Sequence, residues 1–257
     1  METKLAFAKA IVYEAASYIR KHMDEPVVIE TKSTPTDLVT QLDEAVQDQL
    51  VQKIVEAYPT DHILAEENGL RHSIEDGHVW VIDPIDGTNN FIAQKTDFAI
   101  MLAYFENGQG QFGLIYDVMK DELYVGGGQF SVYCNDKPLV PYQEKNLQHS
   151  LVAISAGLFK SETVDILPLV HNSLGARLYG SAGISFARVL SGRLLLYVSS
   201  IYPWDYAAAS ILAPKLGYQV MTIDGEVPDF QTRQDIVIVP TEKWAEIAPY
   251  IMKKGES

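Results

Sequence analysis

Two aspartates three positions apart, Asp83 and Asp86, stand in the stretch VWVIDPIDGTNNF at 79–91. The apolar, β-leaning run Val79 to Ile82 predicts a strand that delivers both carboxylates into a turn tightened by Pro84 and Gly87. Carboxylate oxygens suit hard divalent cations. Mg²⁺ in particular takes one or two of them, keeps several waters and completes its shell with substrate phosphate. The pair therefore points to metal-assisted phosphate chemistry. Asp-Pro and Asp-Gly are also ordinary turn dipeptides, so the pair decides nothing until other acids reach the same place.

Further acids stand at the ends of predicted elements. Glu66 and Glu67 follow the apolar run Ile63 to Ala65, and neighbours on a strand point to opposite faces, so only one can address a given site. Glu66 is the one assigned. Asp205 heads the Ala-rich helix in IYPWDYAAASILAPKLG, and Asp43 falls in the first turn of a helix that Thr40 caps. Each also has a plain structural use, as a cap or as a complement to the helix dipole.

Those acids need a scaffold. Leu5, Ala8, Ile11, Val12, Ala15, Ala16 and Ile19 recur at helical spacing and predict an amphipathic helix over 3–22. A β-leaning segment from Val27 to Ser33 follows. In the second helix Leu42, Val46, Leu50, Ile54 and Val55 form the predicted buried stripe. FAIMLAYFE, QFGLIYDV, ELYVGG and SVYCN, joined by hairpin-length connections, read as an antiparallel meander, with Gly126, Gly127 and Gly128 as a turn or bulge. From about Leu151 strands and helices alternate: SAGISFARVLSG as a helix, LLLYVSS as a buried strand, YQVMTIDG and DIVIVP as strands, and TEKWAEIAPYIMKK as a closing helix. The fold class expected is α+β, in one unit over 1–257 with sub-halves of approximately 1–150 and 151–257.

Composition narrows the function. With 47% hydrophobic and 21% charged residues in 257, the chain has material for a large core. A formal charge of −14 repels nucleic-acid polymers and anionic membranes, yet allows a small phosphorylated ligand where metal ions reverse the local sign. Cys134 is the sole cysteine, so no intrachain disulfide forms and a reducing interior is the simpler inference. METKLAFAKAIVYEAA lacks the apolar core of a signal peptide and no run approaches a membrane span, which predicts a cytoplasmic protein.

WVIDPIDGTNNF, the upstream AEEN and the downstream PWDYAA resemble, in order and placement, the signature segments of the inositol monophosphatase family. KSTPTDLVTQLD at 32–43 is similar to that family's segment K-x-x-x-x-D-x-V-T-x-x-D. The resemblance implies a layered αβαβα sandwich of the inositol monophosphatase and fructose-1,6-bisphosphatase type, a homodimer, and Mg²⁺-dependent hydrolysis of a small phosphate monoester. It implies that Glu66, Asp83 and the carbonyl of Ile85 hold a first Mg²⁺, and that Asp83, Asp86 and Asp205 hold a second. A third, weaker ion is associated with Glu66; Mn²⁺ is a possible substitute, and Ca²⁺ and Li⁺ are expected inhibitors. Thr88, supported by Asp43, is implied to activate the attacking water. Gly87, Thr88, Asp86 and Ala182 are implied to meet phosphate and substrate, with Arg177, Tyr179 and Ser181 toward the leaving group.

The chemistry supports that assignment in its own right. Phosphate monoester hydrolysis is among the slowest uncatalysed reactions, and two cations about 3.5–4 Å apart neutralise the dianion, activate water and stabilise the leaving alkoxide. One departure concerns the substrate. Val198 stands where inositol-specific members carry a Glu, seven residues before the motif's aspartate. That opens fructose 1,6-bisphosphate, 3′-phosphoadenosine 5′-phosphate and NADP as alternative substrates. A non-catalytic sensor of metal and phosphorylated ligand is the competing class, and it has no need of the Thr88–Asp43 pair.

Overall fold

The computed structural model describes residues 1–26, 29–31 and 38–253. Val27, Val28 and the KSTPTD portion of the N-terminal motif, at 32–37, lie outside the described residues. Elements follow in chain order: α1 (Glu2–His22), β1 (Ile29–Thr31), β2 (Leu38–Thr40), α2 (Gln41–Ala57), β3 (His62–Ala65), β4 (His78–Asp86) and α3 (Thr88–Gln94). The meander is β5 (Ala99–Glu106), β6 (Gln109–Asp117), β7 (Glu122–Gly127), β8 (Phe130–Cys134) and β9 (Lys137–Pro138). The later half holds β10 (Leu151–Ile154), β11 (Val164–Asp165), α4 (Leu167–Asn172), β12 (Gly175–Arg177), α5 (Ala182–Leu190) and β13 (Tyr197–Ile201). It ends with α6 (Pro203–Leu212), β14 (Tyr218–Thr222), β15 (Gln234–Pro240), α7 (Trp244–Ile247) and β16 (Met252–Lys253).

Side-chain alternation along the strands builds five layers, the αβαβα order expected. The first sheet runs β3-β4-β5-β6-β7-β8-β9. One face of it, with Trp80, Ile82, Ile100, Leu102 and Tyr104, packs on the apolar stripes of α1 and α2. The other, with Val79, Val81, Met101 and Phe105, packs on α5 and α6. The second sheet, β12-β10-β13-β15-β14, covers those same helices with Tyr197, Ile236 and Ile238. Its outer face, with Val198, Val237 and Val239, closes on α4 and α7 through Leu169 and Ile247.

Small residues bring α6 close to the first sheet. A Cβ built on Gly113 would lie 2.5 Å from the carbonyl oxygen of Ala208, so the glycine in β6 is what allows that helix, and Asp205 at its start, to approach.

Three expectations need correcting. Val55 is 47% exposed, because the stripe of α2 is carried by Leu42, Val46, Leu50 and Ile54 alone. The closing helix is broken into short turns around α7, with Pro249 in the last of them, since proline cannot donate to the preceding turn. The strand expected to stop at Ile82 runs on to Asp86: Asp83 still pairs with Met101 and Asp86 with Ala99, and Pro84 and Ile85 form the irregularity between them.

Candidate active site

The bulge between Asp83 and Asp86 aims both carboxylates to one side of β4. Together with Asp205, in the first turn of α6, they offer oxygens that all lie within 4.8 Å of one another. Each is held differently. Asp86 is buried and accepts the N–H groups of Ala182 (3.0 Å) and Gly183 (2.7 Å) and the hydroxyl of Ser181, so it caps the start of α5. Asp205 accepts the N–H of Tyr202 at 2.8 Å. Asp83 is 1% exposed, and neither of its oxygens accepts a hydrogen bond from the described residues; what faces it is the Asp205 carboxylate, which it can meet only by carrying a proton.

A buried carboxylate in that condition is costly. Burial, with Glu66, Asp86 and Asp205 nearby, pushes the Asp83 carboxyl well above the usual carboxylate range, and the same surroundings do so for Asp205. Burial also raises Asp86, against the pull of its helix-start donors. A divalent cation would satisfy the Asp83 oxygens and cancel the repulsion together. The donors are all carboxylate oxygens, the set that suits Mg²⁺, Mn²⁺ and Ca²⁺, so the residues present fit such an ion.

Glu66 lines the same cavity, of about 640 Å³, as Asp86 and Asp205. Its placement comes from a residue the sequence reading passed over. Gln47, fully buried on α2, donates to the Glu67 carbonyl at 2.9 Å and accepts the Glu67 N–H at 2.8 Å, which fixes the chain just beyond β3. Glu67 is 6% exposed and Glu66 faces the cavity, the opposite orientation that strand alternation predicts.

Thr88 begins α3, beside the acids. Its hydroxyl lies 2.9 Å from Asp43 Oδ1 and 3.1 Å from the Ile85 carbonyl, two acceptors for one proton. Asp43 Oδ2 accepts the Thr40 N–H at 2.9 Å, closing the capping box of α2. Burial pushes the Asp43 carboxyl up to about 6, although its hydrogen bonds from Thr40 and Thr88 act the other way. Gly87, at φ +96°, makes the turn between Asp86 and Thr88. A Cβ there would sit 2.9 Å from Ser181 Cβ, so the site tolerates glycine alone.

Not every residue expected here arrives. Ser181 and Ala182 line the cavity; Arg177 and Tyr179 are not among its walls. The Arg177 side chain is exposed on the edge strand β12 and donates to the Ala176 carbonyl, and the Tyr179 carbonyl accepts from Asn90, tying α3 to the later half of the chain. Val198 points the wrong way to touch substrate: its side chain belongs to the outer core, and the cavity is lined from β13 by Tyr197, Ser199, Ser200 and Ile201. Two cationic walls, Arg71 and Arg233, were missed, because nothing local in their sequence marks them.

A sequence profile of the inositol monophosphatase family matches residues 1–255. The inositol-1-monophosphatase of Bacillus subtilis (strain 168) is 42% identical over 226 residues, covering 85% of each chain. The staphylococcal IMPase-II structure superposes with a TM-score of 0.85 at 31% identity, over 96% of this chain and 92% of that one. An IMPase/NADP phosphatase solved with Mg²⁺ and phosphate reaches a TM-score of 0.89 at 26% identity, over 97% and 95%. With its layered fold, its carboxylate cluster and a profile match along nearly its whole length, this chain belongs to the inositol monophosphatase family.

Proposed function

We propose that the protein hydrolyses a small phosphate monoester to an alcohol and inorganic phosphate in a Mg²⁺-dependent reaction at the Asp83–Asp86–Asp205 cluster. The observation that carries this reading is the buried Asp83 carboxylate, which accepts no hydrogen bond from the described residues and lies within 4.8 Å of two other acids. Asp83, Asp86, Asp205 and Glu66, with the Ile85 carbonyl, would hold two or three ions. When bound, Mg²⁺ neutralises the phosphate dianion and lowers the pKa of water at the site.

The chain's own residues supply the rest. Donating its hydrogen bond to ionised Asp43, the Thr88 hydroxyl keeps its lone pairs for an attacking water, whose proton passes to Thr88 as the Thr88 proton passes to Asp43; an acceptor raised to about 6 suits that relay near neutral pH. A non-catalytic sensor would have no use for this pair. The N–H groups of Gly87 and Thr88, with Ala182, would meet the phosphate, and burial behind Ser181 keeps Asp86 in register. In the same reading the chain works as one unit over 1–257, as a cytoplasmic homodimer. Its single cysteine agrees with a reducing compartment, and no helix among the described residues is long and apolar enough to cross a membrane.

Structural neighbours carry inositol monophosphate, 2′AMP and NADP, and one is a LiCl-soaked inhibitory complex. These support a phosphorylated metabolite as substrate and Li⁺ as inhibitor here. The test is release of inorganic phosphate from inositol 1-phosphate, fructose 1,6-bisphosphate, 3′-phosphoadenosine 5′-phosphate and NADP, with and without Mg²⁺. Turnover of at least one ester, only with the metal, is expected; none from the whole panel would reject the reading.

A further inference from the structure

The cavity that holds the acids also has cationic walls. Arg71, Trp204, Tyr202 and Arg233 all line it. The two rings stack with centroids 4.9 Å apart and planes 11° from parallel. A guanidinium caps each end: Arg71 Cζ lies 4.5 Å from the Trp204 ring and Arg233 Cζ lies 5.7 Å from the Tyr202 ring.

The two cations are not equivalent. Arg71 donates to the carbonyls of Ala65 and Leu70 through Nη1 and of Glu66 through Nη2, so both ends of its fork are engaged by the loop that presents Glu66. Arg233 donates through Nε (3.2 Å) and Nη2 (3.1 Å) to a single acceptor, the Ser200 carbonyl. Its Nη1 has no partner among the described residues, and no carboxylate there comes within ion-pair distance. Arg20, which also meets no carboxylate there, spends Nη1 on the Tyr116 hydroxyl and the Val118 carbonyl, away from the cavity. The loop before Arg233 is set by Asp229, whose carboxylate accepts the N–H groups of Gln231 (2.8 Å) and Thr232 (2.9 Å). The exposed Arg233 guanidinium, held by the Ser200 carbonyl with Nη1 free among the described residues, stands at the wall of an acidic cavity in a position to meet an anion.

We propose that Arg233, with the half-exposed Tyr202 ring beside it, is a subsite for a second phosphate on the leaving group. The preferred substrates are then phosphomonoesters of ring-bearing alcohols that carry another phosphate, nucleoside bisphosphates before singly phosphorylated cyclitols. The proposal rests on hydrolysis at the aspartate cluster. Glu66, Asp86 and Asp205 repel any phosphate not covered by metal, so a second one must lie against the cationic wall, and Arg233 is the cation there whose whole Nη1 group is unengaged among the described residues.

A pair of substrates tests it: 3′-phosphoadenosine 5′-phosphate and adenosine 3′-phosphate share the scissile 3′ ester and differ only in the 5′ phosphate. With saturating Mg²⁺, kcat/KM should favour the bisphosphate by about tenfold or more, as expected for a charge-assisted contact. Arg233→Gln should bring the ratio to within about twofold of unity, chiefly through KM, and Arg233→Lys should shift it the same way by less. The Lys variant carries the test if the Gln variant melts early. A wild-type ratio near one, or equal losses on both esters in the variants, overturns the subsite. Turnover of inositol 1-phosphate with neither adenosine ester cleaved overturns it while leaving the phosphatase reading intact. If no ester is cleaved, the phosphatase reading fails, and equilibrium binding of the two adenosine phosphates to Mg²⁺-loaded protein judges the subsite: equal affinities reject it.

Discussion

Asp83→Asn isolates the electrostatic claim, because Asp83 is the one aspartate of the cluster that accepts no hydrogen bond among the described residues, and an amide can still donate to Asp205 where a protonated carboxyl did. One of the Asp83 oxygens lies within 4.8 Å of an oxygen of Asp86 and of Asp205. One like-charge pair at that distance costs roughly 3 kcal/mol at an effective dielectric near 20. Proton uptake relieves part of this, so neutralising the side chain should stabilise the metal-free protein by about 1–2 kcal/mol, or roughly 3–6 °C in melting temperature for a chain of this size. Mg²⁺ at a hundred times its dissociation constant should add about 2.7 kcal/mol per site to the wild type, roughly 5–10 °C. The assay is thermal melting of chelator-treated protein across a Mg²⁺ titration. Asp83→Asn should begin higher than the wild type and gain little from the metal. A variant that melts below the wild type without metal, or that gains as much from Mg²⁺, would refute the reasoning.

Thr88→Ala removes the hydroxyl that joins Asp43 to the site, and kcat should fall by about 10²-fold or more with little change in Mg²⁺ dependence, read from phosphate release across a metal titration. Asp43, raised to about 6 by burial, favours its neutral form in the folded state. The stability this confers is complete below the unfolded value near 3.9 and lost as pH rises through about 6, up to about 3 kcal/mol. Metal-free wild type should therefore gain stability relative to Asp43→Asn as pH is lowered from 7 to 5, and equal shifts in the two melting curves would contradict the assignment. Activity runs the other way: kcat/KM should fall on the acid side of about pH 6, where Asp43 can no longer accept a proton. Gly87→Ala should cost about 1–3 kcal/mol by forcing a side chain to φ +96° against Ser181, measured by denaturant unfolding.

Much of the site was legible because its acids sit at strand ends and helix starts, where local pattern carries real information. Strand alternation separated Glu66 from Glu67, and the Thr40 cap placed Asp43 at the head of α2. The failures share a physical cause. LLLYVSS reads as one apolar strand, yet β13 begins only at Tyr197 and Leu194, Leu195 and Leu196 are buried ahead of it, so nothing in the run says that Ser199 lines the cavity while Val198 faces the outer core. Gln47 and Arg233 act across 20 and 33 residues of chain, and their partners are main-chain atoms, which leave no trace in residue type. Spacing could not reveal that Asp86 caps α5, so Asp86→Asn would set an amide donor against N–H donors and should lower stability as well as activity.

The most direct test of the central claim is phosphate release from the substrate panel by chelator-treated wild type and Asp83→Asn, before and after Mg²⁺ is added. Phosphate from the wild type alone, and only once Mg²⁺ is present, is the predicted result. Release in chelator, or equal Mg²⁺-dependent turnover by Asp83→Asn, would contradict a metal centre built on Asp83.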